Sequence, residues 1–266
     1  MRRRFAPARP RLLLSRRKVL VSGAASLILS GCDRLAVSPT FQQMLTGAEG
    51  LTYRSQRTLI GRQALAREYS TADISVRFKA NGSQDPNNLP PEYLELANGG
   101  YADWRLQVGG LVMNPMSFSL AELRALDART QITRHDCVEG WSAIGSWTGP
   151  PLSAVLDRVG LRPEARFIVF HCADEVLRYI EGRDTYYESI DLIDAFHPQT
   201  ILAYEMNGQP LPLKHGAPLR LRVERQLGYK MAKFITRIEA VDRFDTIRGG
   251  RGGYWEDNGY EWYAGI

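Results

Sequence analysis

Cys137 lies in the run Arg134-His135-Asp136-Cys137-Val138-Glu139-Gly140-Trp141, where a thiol has an imidazole and two carboxyls close to it along the chain. Three cysteines occur in all, at positions 32, 137 and 172. A thiol in such company can ligate a metal, attack a carbonyl or close a disulfide. Zinc would have to draw on His135, Cys137, His171 and Cys172. The sequence has no C-x2-C pair, and adjacent residues such as His171 and Cys172 point to opposite faces of a strand. A cysteine hydrolase would need a nucleophile context that is missing here. G-x-S-x-G, P-loop and G-x-G-x-x-G signatures are also absent from the sequence. That leaves a disulfide between Cys137 and Cys172 or a pair of inert buried thiols.

The elements that must position these residues form a mixed pattern. Trp104-Arg105-Leu106-Gln107-Val108 alternates as a strand does. Ser119-Leu120-Ala121-Glu122 is a capping box opening a short helix over 120–126. Residues 131–138 read as a strand carrying Cys137. Pro151 opens a helix that Gly160 stops. Residues 166–172 form a β-branched and aromatic strand ending at Cys172. Asn207-Gly208 predicts a hairpin between strands 201–206 and 211–213. Residues 219–223 and 234–241 add two further strands. Strands dominate, helices are short and βαβ alternation is lacking, so the fold class is α+β with a β-rich mixed core.

The chain has 266 residues, 44% apolar and 24% charged, which is too rich for disorder and fits one large domain or two small ones. Its net charge of +5 is not a nucleic-acid footprint. Eight of the 34 basic residues, and none of the 29 acidic ones, fall in residues 1–31, so the rest of the chain is mildly acidic. Gly249-Gly250-Arg251-Gly252-Gly253 reads as a flexible loop in that setting. The first 31 residues have the form of an export signal: Ser15-Arg16-Arg17-Lys18-Val19-Leu20 resembles a twin-arginine motif and precedes a short apolar stretch. Leu29-Ser30-Gly31-Cys32 resembles a lipobox, which makes Cys32 a lipid anchor, with plain cleavage nearby as the alternative. The expected location is the periplasm, anchored to the inner membrane. The expected organisation is a signal over 1–31, a tether and irregular arm over 32–74, and one domain over 75–266.

Three blocks carry a family resemblance. The first is Cys137-Val-Glu-Gly-Trp141 followed by Trp147-Thr-Gly-Pro-Pro-Leu152. The second is Asn207-Gly-Gln-Pro-Leu-Pro-Leu-Lys-His215-Gly-Ala-Pro-Leu-Arg220, followed by Leu227-Gly-Tyr-Lys230-Met-Ala-Lys233. The third is the aromatic tail Gly253-Tyr-Trp-Glu, then Gly259-Tyr-Glu-Trp-Tyr. Together they resemble the sulfite oxidase family of molybdopterin enzymes, in particular its periplasmic protein-methionine-sulfoxide reductase branch. The resemblance implies the sulfite-oxidase fold and a molybdenum-molybdopterin cofactor, with Cys137 as the thiolate ligand of the metal. It implies cofactor contacts at Asn81, Cys172, His215, Arg220, Met231, Ala232 and Lys233. It also implies oxygen-atom transfer, with a small or protein-bound sulfoxide as substrate and a membrane haem protein as electron donor. Trp141, Trp147 and Tyr229 are candidates for the pocket wall, with core packing as the plainer role for each.

The departures bear on substrate. Sulfite oxidases follow the ligand cysteine with arginines that hold an anion; here Val138-Glu139-Gly140-Trp141-Ser142 follows, and a neutral sulfoxide needs no such clamp. His215 stands where the sulfoxide-reductase pattern has Asn, and Glu224 where both branches have Pro. The competing expectations are a sulfite-oxidising enzyme and a metal-free exported lipoprotein that binds a ligand on the same fold.

Overall fold

Leu106 and Val108, the apolar positions of the alternating run after Trp104, are both buried in strand β1 (Arg105–Gly110) of the computed structural model. The structure describes residues 38–176 and 185–266. The expected export signal and the Cys32 anchor lie outside them. Among the described residues, no helix is long and apolar enough to cross a membrane.

The chain divides at Ser55/Gln56 into two units. The described part of the first belongs to helix α1 (Pro39–Leu59). This corrects the expected irregular arm over 32–74. The segment lacks a clean apolar period but is well supplied with Gln, Met, Leu, Ala and Arg, whose propensity favours helix. Residues 56–74, assigned to the same arm, belong to the second unit. Tyr69 N–H donates to the Ile132 carbonyl, and the backbone of Ala66 exchanges two bonds with the Gln199 amide. Backbone pairing of this kind leaves no hydrophobic pattern to read.

In the second unit, a five-stranded sheet runs in the order β2 (Met116–Ser119), β1, β11 (Ile235–Val241), β5 (Phe167–Glu175), β6 (Thr185–Asp191). β1 and β11 pair in parallel; the other neighbours are antiparallel. Helix α2 (Pro91–Asn98) precedes this sheet in the chain and buries Tyr93. Helix α3 (Leu120–Arg124) starts at the expected capping box, with Glu122 N–H donating to Ser119 Oγ. Helix α4 (Leu152–Val159) ends at Gly160, whose φ of 65° suits a residue without a Cβ. It buries Leu152, Val155, Leu156 and Val159 in one cluster with Leu106, Val108, Ile168, Phe170 and Ile238. Each such side chain contributes about 1.5–3 kcal/mol on leaving water.

A second sheet, β3 (Arg129–Cys137), β4 (Trp141–Gly149), β8 (Glu205–Met206), β9 (Gln209–Pro210), carries the region of Cys137. The expected hairpin is present, with both Asn207 and Gly208 at positive φ. Its second strand is Gln209–Pro210, not 211–213, because a two-residue turn places Met206 directly opposite Gln209. A two-stranded ribbon pairs β7 (Ile201–Ala203) with β10 (Arg220–Arg222). Helices α5 (Leu192–Ala195) and α6 (Tyr254–Asp257) are single turns.

Strand β4 was not expected, since its serines and glycines look like a loop. Two of those glycines are needed for packing. A Cβ at Gly149 would lie 2.0 Å from the Leu202 carbonyl oxygen, and one at Gly145 would press on the Phe78 ring at 3.2 Å.

Candidate active site

Period-two geometry builds the site from β3. Gln131, Thr133 and His135 all face inward and are buried, so this strand turns a polar stripe to the interior and carries Cys137 at its end. Cys137 and Trp141 are cross-strand partners, joined by the tight turn Val138-Glu139-Gly140. Gly140 N–H donates to the Cys137 carbonyl at 2.9 Å, and Gly140 has a φ of 84°. This three-residue loop with a left-handed glycine holds the thiol at the tip of a rigid hairpin.

The thiol opens into a cavity of about 260 Å³ with two groups of lining residues. One is polar: Asn81, Gly82, Ser83, Glu139, Asp174 and Lys233. The other is apolar and aromatic: Val138, Val176, Tyr186, Tyr229, Met231, Trp255 and Tyr260. Cys137, Asn81, Met231, Lys233 and Tyr229 thus line one cavity. Cys172, His215, Arg220 and Ala232 do not line the cavity. They are buried and adjoin it: Ala232 lies between Met231 and Lys233, and Arg220 Nη1 donates to the His215 carbonyl at 3.1 Å. Trp141 is half-buried beside Cys137. Trp147 is fully buried beneath the guanidinium groups of Arg220 and Arg222, 4.9 and 4.3 Å from its ring centroid. Trp147 is therefore core, and its place as a pocket wall is corrected: none of it reaches the cavity.

The polar group is tied together across the sequence. Lys233 Nζ donates to the carbonyls of Asn81 at 2.6 Å and Lys214 at 3.2 Å, and to that of Ser83. Asn81 Nδ2 donates to the Gly228 carbonyl at 3.3 Å. Gly216, with φ 103°, allows this approach, since a Cβ there would meet Lys233 Cβ at 2.7 Å.

Behind the wall, buried basic groups crowd one another. Burial, then Arg222, pushes Arg220 down to about 9. Burial, then Arg220, pushes Lys233 down to about 7 and His215 to about 3. Burial pushes Asp174 up to about 6, against the pull of Lys233. Several buried polar atoms have no hydrogen-bond partner: Nε and Nη2 of Arg220, Nδ1 of His215 and Oδ1 of Asn81. An unpaired buried polar atom costs about 1–3 kcal/mol, and more for a charged group. Orphaned donors on Arg220 and an orphaned acceptor on Asn81 match an anionic ligand that carries both phosphate oxygens and hydrogen-bond donors.

Burial raises the Cys137 thiol, and Glu139 adds to the rise by its charge while its backbone opposes it. Cys172 is pushed well above the usual thiol range by burial and Asp174. Both thiols are free, which corrects the disulfide alternative. Among the described residues no group of three or more His, Cys, Asp and Glu side chains is arranged to hold a metal ion.

Sequence reasoning missed Asp174 and Tyr186 on the cavity wall and Arg222 behind it; it quoted Trp255 and Tyr260 without a role, weighed His135 only for zinc, and noted Glu224 only as a departure from the family pattern. Glu224 accepts two bonds from Arg222, at 2.8 and 2.6 Å, and one from Gln131 at 2.9 Å, all in full burial. Arg222 Nη1 in turn donates to His135 Nδ1 at 3.0 Å. Burial and Arg222 hold His135 neutral. The inward polar stripe of β3 was the available signal for this network.

The sequence profile described as an oxidoreductase molybdopterin binding domain matches residues 94–246. A putative protein-methionine-sulfoxide reductase subunit YedZ1 of Azospira oryzae is 40% identical over 198 residues, covering 68% of this chain and 70% of that one. The protein-methionine-sulfoxide reductase catalytic subunit MsrP of Xanthomonas axonopodis is 38% identical over 53% of this chain, spanning 45% of its own length. The MsrP subunit of Ralstonia nicotianae is 36% identical and is spanned over 44% of its length. The solved sulfane dehydrogenase SoxCD from Paracoccus pantotrophus aligns with a TM-score of 0.48 at 24% identity, over 53% of this chain and 39% of that one.

Proposed function

We propose that this chain, which belongs to the oxidoreductase molybdopterin-binding domain family, reduces a sulfoxide to its thioether. It is an oxidoreductase, and its cofactor is molybdenum bound to molybdopterin. Bound, that cofactor supplies two-electron oxygen-atom transfer. The overall reaction takes one sulfoxide, two electrons and two protons to one thioether and one water.

The chain's own residues bind and orient. Cys137 Sγ would hold the metal as a thiolate, the form in which a soft sulfur ligand binds. The free guanidinium nitrogens of Arg220, the Lys233 ammonium and the Asn81 amide would receive the anionic and hydrogen-bonding periphery of the cofactor. Cys172, His215, Met231 and Ala232 fall to the same role by position. The observation that carries the reading is that Cys137 shares one cavity with Asn81, Met231 and Lys233, although up to 152 residues separate them.

A neutral oxo group is favoured over sulfite by the charge on the wall. Lys233 is the one cation among the described lining residues, Glu139 and Asp174 stand on the same wall, and the cofactor's anionic periphery would claim the Lys233 charge. Methionine sulfoxide, free or in oxidised protein, fits this chemistry. The reading extends to export and anchoring: Arg16-Arg17 and Cys32 support a periplasmic chain held at the inner membrane, beside a membrane haem protein that passes it electrons.

The test is elemental analysis and turnover on protein purified from its own envelope. Stoichiometric molybdenum, loss of metal in Cys137→Ala and reduction of methionine sulfoxide by dye-derived electrons are expected. Loaded protein that oxidises sulfite instead would overturn the substrate. Correctly exported protein without molybdenum would turn the reading to a metal-free binding module.

A further inference from the structure

Apart from Met231, the apolar half of the cavity has no part in holding the cofactor as described above. Its outer members are Trp255, on helix α6, and Tyr260, just beyond it. Tyr260 N–H donates to the Trp255 carbonyl at 2.9 Å, which folds the segment back on itself. The two rings stack with centroids 5.2 Å apart at 28°, and Tyr229 meets Tyr260 edge-on at 5.3 Å. Val138, the residue after Cys137, completes this side and is 47% exposed, while Tyr260 is 38% exposed. A solvent-accessible aromatic surface therefore shares a cavity with the thiol.

This surface is held in place from behind. Glu256, next to Trp255, accepts a bond from Lys230 at 2.5 Å, and Lys230 donates equally to Glu188; all three are fully buried. Lys230 also precedes Met231 in the segment that lines the cavity. Tyr254 packs edge-on to Trp255 at 5.3 Å and against Tyr186 at 5.9 Å. Fixed rings bind without losing rotamer freedom of their own.

We propose that Trp255 and Tyr260 determine substrate specificity by gripping the apolar groups on either side of the sulfoxide sulfur. This rests on the reading that the substrate is a sulfoxide. The methyl and methylene groups that flank a sulfoxide sulfur, and the thioether sulfur of the product, favour aromatic faces and edges, whereas an inorganic anion would find no partner there. The wall therefore selects organic sulfoxides with alkyl stems over small oxyanions.

The experiment measures binding of N-acetylmethionine sulfoxide, and separately of N-acetylmethionine, by calorimetry to the molybdenum-loaded protein. Trp255→Ala and Tyr260→Ala are each expected to weaken both ligands about tenfold at unchanged molybdenum content, and Trp255→Phe to keep most of the affinity. If Trp255→Ala does not fold, the exposed Tyr260→Ala decides. Unchanged affinity in the alanine variants overturns the proposal, as does a loaded wild-type protein that binds neither ligand. Folded variants that lose molybdenum also overturn it, since the wall would then hold cofactor. A wild-type protein that binds both ligands but does not reduce the sulfoxide would instead remove the reaction and leave the wall standing.

Discussion

The backbone of Gly228 lies against the imidazole of His135, so closely that a Cβ at Gly228 would stand 2.3 Å from Nε2 and 2.4 Å from Cε1. Gly228 opens the segment that leads to Met231 and Lys233, and His135 is two residues before Cys137. The contact therefore sets the spacing between the thiol and the opposite part of the cavity.

Gly228→Ala is expected to push the two apart. The imidazole cannot yield easily, since Arg222 Nη1 holds its Nδ1 at 3.0 Å. Overpacking of this kind costs about 1–3 kcal/mol. The urea midpoint should fall accordingly and molybdenum content with it. A variant of wild-type stability and full metal loading would show that the segment can shift freely.

Glu224 makes a different prediction. Removing it as Glu224→Ala leaves the Arg222 guanidinium buried without its carboxylate, a loss of about 3–5 kcal/mol. The paired change Arg222→Met with Glu224→Leu should recover much of that in urea unfolding, because neither charge is then buried. If the double variant is no more stable than Glu224→Ala, the pair contributes something besides mutual neutralisation.

Lys230 sits between two carboxylates that each leave one buried oxygen unpartnered, Glu188 Oε2 and Glu256 Oε2. Burial and Glu256 raise Glu188 well above the usual carboxyl range. Lys230→Met, which strands both acids, should therefore be far more destabilising than Glu256→Gln, which removes their repulsion and keeps the Lys230–Glu188 pair. The expected loss for the first is about 3–5 kcal/mol, and for the second below about 1 kcal/mol. Equal losses in thermal unfolding would contradict this.

His215 predicts how the cofactor-free protein responds to acid. Its folded pKa is pushed down to about 3 by burial and Arg220, against about 6.5 in the unfolded chain. Between those values the unfolded chain binds a proton that the folded one refuses. The stability is thus fully present above about pH 6.5 and is lost as pH falls toward 3. From pH 7 to 4.5, wild-type protein should lose up to about 2 kcal/mol more than His215→Gln. Parallel acid slopes for the two proteins would refute the assignment.

Much of the fold could be read from the chain where one face is apolar. The α4 helix between Pro151 and Gly160 and the strands around Leu106, Phe170 and Ile238 all have a hydrophobic period matching their geometry. Strand β4 could not be read this way, because Gly145 and Gly149 are there to let Phe78 and Leu202 come close, and a missing side chain leaves no pattern. Helix α1 was hidden for a related reason: propensity without periodicity looks like a tether. At the site, Cys137, Met231 and Lys233 were visible through motif resemblance. Trp255 and Tyr260 stood in a quoted motif with no role attached, since only the folded chain brings residues 137 and 255 to one cavity. The network of His135, Arg222 and Glu224 joins strand β3 to the end of β10, 87 residues apart, and only the inward polar stripe of β3 hints at it.

The cavity around Cys137 draws its walls from five stretches of chain: Asn81–Ser83, the tip of the β3–β4 hairpin, the end of β5 with the start of β6, the segment 229–233, and the turn from Trp255 to Tyr260. None of them forms a recognisable half-site alone. An intermediate lacking any one stretch would present a thiol but no receptacle. The receptacle beside the thiol is therefore complete only when all five stretches have come together.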